Sequence, residues 1–155
     1  MRLLTSLFLV LTSLAIHAGN PTYPLYYQIT LNPEQDQAEV VIESDHKGLL
    51  KQLDFNIKSG RYTNLEANGT LVIENSRAIW TPPERHARLT LHAALSHQRD
   101  PGEYDALMTG DWAIFRGDDV VPPARVRTTA GARSRAQLTF VLPEHWTSVS
   151  TGWDK

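Results

Sequence analysis

His92 and His97 come nearest to a metal-binding placement, because both fall on or just after one alternating stretch. A zinc centre needs several converging nitrogen, sulfur or carboxylate ligands. The chain has no His-Glu-x-x-His segment and no cysteine to complete such a set. His92 is expected to face away from the core, and His97 to fall at a strand end. His46, His86 and His145 are scattered through predicted turns and are expected on the surface. No metal ligand is assigned.

The carboxylates Asp100, Glu103, Asp105, Asp111, Asp118 and Asp119 make one region locally acidic. Loop carboxylates are hard oxygen ligands that suit calcium, but EF-hand spacing is missing, and a solvated loop is expected. Gly-x-Ser-x-Gly does not occur, nor does a glycine-rich phosphate loop. The chain therefore offers no catalytic residue and no cofactor site. Trp80, Trp112, Trp146 and Trp153 remain. An indole ring can stack on a sugar, or it can fill or seal a core. Trp80 ends a predicted strand and Trp146 follows Leu142-Pro143, both natural sealing positions. Packing is expected ahead of a ligand platform. The candidate ligand surface is Trp112, Trp146 and Trp153.

The elements that position these residues are strands. Tyr27, Ile29 and Leu31 alternate with polar neighbours, the period of a half-buried strand. Ala38, Val40 and Ile42 repeat the pattern after the turn at 32–36, which predicts a hairpin. Leu53, Phe55 and Ile57 alternate again. Asn68-Gly69 lies between Leu65 and the run 71–73 and is the strongest hairpin signal in the chain. A short strand at 78–80 stops at Pro82-Pro83, which cannot donate to a ladder. Leu89, Leu91, Ala93 and Leu95 predict a long strand with one face in the core. The stretch 98–103 reads as a loop, 120–127 as a proline-broken edge segment, 130–134 as a polar turn, and 136–142 as a strand. A second short strand is expected near Trp153. Short strands between turn signals predict an all-β fold, an antiparallel β-sandwich.

At 155 residues the chain has the size of one ordinary domain. A hydrophobic share of 41% and a charged share of 21% suit a globular chain. A net charge of -2 gives no electrostatic case for nucleic acid or an anionic membrane as partner. The first residues differ from the rest. Arg2 precedes an apolar run from Leu3 to Ile16, and Ala15, Ala18 and Gly19 offer small residues for a peptidase. This predicts a cleavable secretory signal peptide helix at 1–18, with a single domain at 19–155. The run is shorter than the roughly 20 residues a membrane-spanning helix needs, so no stable membrane anchor is expected after cleavage. The remainder must be stable without disulfides, which fits a periplasmic or secreted location. Asn68-Gly69-Thr70 matches a glycosylation sequon and is read as a turn.

The order of these features resembles the N-terminal β-domain of the glycyl-aminopeptidase-like zinc metallopeptidases, the secreted PDZ-containing relatives of thermolysin-like aminopeptidases. The resemblance lies in Tyr26-Tyr27, in Phe55 to Tyr62 with Gly60-Arg61-Tyr62, in Asn68-Gly69, in Trp80 and in Leu89 to Leu95. It continues through Phe115 with Pro122 to Leu142-Pro143-Glu144-His145-Trp146. The family's Pro-x-Trp-x-Pro-Gly-x-Tyr element is reduced here to Gly60-Arg61-Tyr62. The resemblance implies a β-sandwich and export. It implies no catalytic or metal residue, because the family's zinc helix and glutamate match no position in this chain. The function expected from it is domain packing against a peptidase domain, or binding of a protein or peptide by an open sheet edge. The other expectation is a periplasmic ligand- or carbohydrate-binding module that uses exposed tryptophans.

Overall fold

A computed structural model describes residues 19–58 and 60–152. The predicted signal peptide and Trp153 lie outside the described residues. The chain forms β1 (Thr22–Asn32), a turn of 3-10 helix (Pro33–Gln35), β2 (Gln37–Ser44), β3 (Leu50–Asn56), β4 (Tyr62–Ala67), β5 (Thr70–Glu74) and β6 (Arg77–Thr81). It continues with β7 (Ala87–Ala94), β8 (His97–Asp100), β9 (Glu103–Met108), β10 (Ala113–Ile114), a short α1 (Gly117–Val120), β11 (Ala124–Thr128) and β12 (Arg133–Val141).

The fold is an all-β sandwich. One sheet has the order β12-β1-β2-β7-β4, the other β11-β3-β6-β5, and β10-β9-β8 form a small third sheet. The predicted hairpin of β1 and β2 is present, with Tyr27 opposite Ile42. Nearly all the pairing is antiparallel. The exception is β1 with β12, which run parallel with Leu25 beside Ala136. Alternation decides which side chains enter the core. Ala38, Val40 and Ile42 of β2 and Leu89, Leu91 and Ala93 of β7 are buried from one sheet, while Leu53, Phe55, Ala78 and Trp80 are buried from the other. Each large apolar side chain fully removed from water contributes about 1.5–3 kcal/mol, so these facing rows hold the sheets together.

Three expectations are corrected. Asn68-Gly69 does not close a hairpin, because β4 pairs with β7 and β5 pairs with β6. It is a corner that carries the chain from one sheet to the other. Two forces place it there. The Asn68 side chain bonds the backbone on both sides of β7's start, donating to the His86 carbonyl at 2.7 Å and accepting from Arg88 N at 2.8 Å. Gly69, at φ +78°, sits where a Cβ would come 2.5 Å from the Thr81 carbonyl. The stretch 98–103 is not a loop but the turn region of the β8–β9 pair. All of β8 is exposed, so neither of its faces carries an apolar row that a period-2 search would detect. His46 is not on the surface. It is 1% exposed and stands edge-on to the Tyr23 ring at 6.5 Å. Its Nδ1 accepts hydrogen bonds from the Gly48 and Leu50 amides, which stitches the connection between β2 and β3.

Candidate functional site

The strands β11 and β12 follow one another in sequence, and in a closed barrel they would pair. Here each belongs to a different sheet and, among the described residues, is paired on one side only. The connection between them explains the divergence. Thr129 N donates to the Leu49 carbonyl at the start of β3, while Arg133 N donates to the Pro21 carbonyl at the start of β1. The turn is thereby pinned at one end to each sheet, with Gly131 at φ +73° between. Pro122 and Pro123 lack amide donors, which confines the segment before β11 to an edge. The expected edge segment at 120–127 is thus present as β11.

Between the diverging strands lies a cavity of about 940 Å³. This is within the range of about 300–1,000 Å³ that is usual for ligand sites. Its walls follow the pleat. Tyr23, Leu25, Tyr27, Ile29 and Leu31 come from β1; Ser134, Ala136, Leu138 and Phe140 from β12; Leu53 and Phe55 from β3; and Ala124 and Val126 from β11. The remaining wall is the segment 111–123 together with the tail 145–152. The Phe115 and Phe140 rings meet at 6.3 Å and join that segment to β12.

Two of the three predicted ligand-surface residues are brought together here. Trp112 and Trp146 both line the cavity. Trp112 is 49% exposed, on a turn in which Thr109 N bonds the Trp112 carbonyl and Thr109 Oγ1 accepts from Trp112 N. Trp146 is half-buried, and its Nε1 donates to the Gly110 carbonyl at 2.8 Å. His145 Nε2 lies 2.6 Å from the same oxygen, so the tail is clamped to the turn that carries Trp112. Trp153 lies outside the described residues. Trp80 is fully buried in the core, as its sealing position implies.

The strand walls of the cavity are largely apolar, while Asp111, Asp118 and His145 stand in the lining from the loop and tail side. Burial pushes the Tyr27 hydroxyl up to about 12, with the neighbouring Tyr23 adding to the effect. Burial also raises Tyr23, partly offset by the Ser134 hydroxyl. Both phenols stay neutral at any physiological pH, so neither supplies a base. Among the described residues no group of three or more histidine or acidic side chains converges to hold a metal. The acidic region does not gather into one site. Asp105 faces His97, while Asp119 is buried and pairs with Arg61 at 3.1 Å. Asp119 also accepts from Arg116 N at 2.8 Å. Arg61 further donates to the Ala94 and Leu95 carbonyls, and the Tyr62 hydroxyl donates to the Asp118 carbonyl. These contacts fix α1, and with it the wall of the cavity, onto β4 and the end of β7.

The tryptophans are legible in sequence as candidate contacts. The aromatic wall of Tyr23, Tyr27, Phe115 and Phe140 is not, although the alternation of β1 and β12 carries part of the signal. Comparison with family models, curated proteins and solved structures returns no match.

Proposed function

We propose that this chain is an exported, non-catalytic binding domain that holds a protein or peptide partner in the cleft between its two sheets. The observation that carries this reading is the pair β11 and β12. Among the described residues each has a free edge, and the apolar cavity opens between them. A free sheet edge supplies unpaired main-chain donors and acceptors, and an adjoining apolar pocket supplies side-chain burial. The rows of apolar side chains that β1 and β12 present to the cavity suit it to holding a guest. The resemblance to the N-terminal domain of glycyl-aminopeptidase-like peptidases agrees with this role and with export to the periplasm or beyond.

The test uses 1-anilinonaphthalene-8-sulfonate, an anionic dye that fluoresces on apolar surface. Ala136 is exposed at the mouth of the cleft, so Ala136→Trp plugs the opening without emptying the core. The dye is expected to bind the wild-type chain and to lose affinity for the plugged variant, whose circular dichroism is unchanged. Equal binding by both chains would refute the cleft as the site.

A second reading is favoured by one observation. Trp112 and Trp146 line the same cavity, which suits a sugar or small ring stacked between indoles. Quenching of tryptophan fluorescence by an oligosaccharide, abolished in Trp112→Ala, would establish it.

A further inference from the structure

We propose that the occupant of the cleft is an extended peptide segment of a partner protein, alternating apolar and acidic residues, that adds as a strand to the free edge of β12. This rests on the reading of the cleft as a protein or peptide site and specifies the chemistry of the partner.

The pleat of β12 sorts its side chains by sign and polarity. Ala136, Leu138 and Phe140 face the cavity. Arg133 and Arg135 alternate with the cavity-facing residues and are exposed. A strand laid beside β12 shares its pleat, so every second side chain of the guest enters the cavity and the others stand beside the arginines. The arginine ion pairs of the described residues engage Arg61, Arg77, Arg88 and Arg116. Arg133 and Arg135 are in none of them. Two neighbouring cations on an edge strand repel each other and resist pairing with a basic or neutral strand, but they favour an acidic one. The edge thus discriminates by charge while the cavity discriminates by hydrophobicity.

The cleft is also open at the right end. Ser134 and Ala136 face the cavity but are exposed, whereas Leu138 and Phe140 farther along are half-buried. An incoming strand meets the arginine end first, where charge attraction acts at longest range. An acyl chain could fill the apolar volume, but it would leave the backbone groups of the β12 edge and both arginines without partners.

The test titrates the full chain, at low salt, with end-capped synthetic peptides matched to the 9 residues of β12, following tryptophan fluorescence. A peptide alternating valine and glutamate is expected to bind roughly tenfold or more tighter than peptides alternating valine and lysine. It should also bind tighter than a peptide of its own composition arranged in blocks. Methylating its alternate amide nitrogens should remove binding, because strand addition needs those donors. The double variant Arg133→Glu, Arg135→Glu changes exposed positions only and should reverse the preference toward lysine. Equal binding by the methylated peptide, or by the blocked one, would overturn strand addition. Binding of palmitate with no peptide binding would overturn the peptide occupant and leave the cleft as a ligand site. Failure of peptides, palmitate and the fluorescent dye together would remove the binding cleft itself.

Discussion

Trp80 Nε1 donates to the carbonyl of Asn68 at 2.7 Å, which joins the most deeply buried ring of one sheet to the corner where the chain crosses to the other. The indole is fully buried, so this bond satisfies a donor that would otherwise cost about 1–3 kcal/mol to bury. The corner cannot move without exposing it. The Asn-Gly pair is therefore held as a crossing between sheets by contacts that are distant in sequence.

The first prediction concerns Gly69. Its left-handed backbone alone makes alanine unfavourable by about 1–2 kcal/mol. The close approach of the Thr81 carbonyl and of Pro83 adds a clash. Gly69→Ala is expected to lower stability by about 3 kcal/mol in urea unfolding. Gly102 has φ +84°, and a Cβ placed there would meet nothing within 4 Å, so Gly102→Ala should cost only about 1 kcal/mol. Equal losses at the two sites would mean that the backbone conformation, and not the crossing at Asn68, sets the cost.

The same corner shows what local sequence conveys. Alternation in β2 and β7 is readable because one face of each is covered and the other is wetter, whereas β12 alternates in residue type with neither face buried. The Asn68-Gly69 signal is readable as a tight turn but not as a change of sheet, since the deciding partners Trp80, His86 and Arg88 are remote. The cleft is hidden for the same reason. β11 and β12 carry the right pleat, but only the anchors at Leu49 and Pro21 send them to different sheets. His46 departs from its expected surface position because the turn-like stretch 45–48 resembles any solvated connection, and its burial depends on Tyr23.

His46 gives the second prediction. Its Nδ1 accepts two amide hydrogen bonds, so the proton resides on the buried Nε2. Burial lowers its pKa below the ordinary 6.5, with the Pro83 carbonyl, Glu84 and Asp45 opposing and Lys51 assisting. In the window between the lowered folded value and 6.5, the unfolded chain binds more protons than the folded one. Stability is therefore full above the unfolded value and falls as pH drops through it. Urea midpoints should decline from pH 7.5 to pH 5, and His46→Gln should flatten that decline. An identical slope in the variant would assign the pH dependence to other groups.

Asp119 gives the third. It is buried, bonds the Arg116 amide and pairs with Arg61, whose side chain is 16% exposed. Removing the Asp119 carboxylate takes a buried ion-pair partner from Arg61 and the acceptor from the Arg116 amide, at a cost of about 3 kcal/mol. Asp119→Ala should lower stability by that amount. It should also weaken dye binding at temperatures where the variant is still folded, because α1 and the segment with Phe115 form one wall of the cavity. Unchanged dye affinity in the folded variant would show that the wall is held by Phe115 and Phe140 alone.

The last prediction lies on the opposite side of the sandwich. β5 is the other edge of its sheet, and Val72 and Ile73 are 44% and 55% exposed along it. Exposed apolar residues on a free edge provide both the backbone template and the surface for pairing with another copy. Negative charge at Glu74 guards only one end. Ile73→Lys places a cation on the edge and removes apolar area from water. It should leave the unfolding free energy in urea within about 0.5 kcal/mol, as expected of a surface position, while lowering concentration-dependent light scattering. Scattering that is unchanged by Ile73→Lys, yet suppressed by Arg133→Glu with Arg135→Glu, would place self-association on the cleft edge instead. Copies of the chain would then be competing for the strand position assigned to the partner peptide.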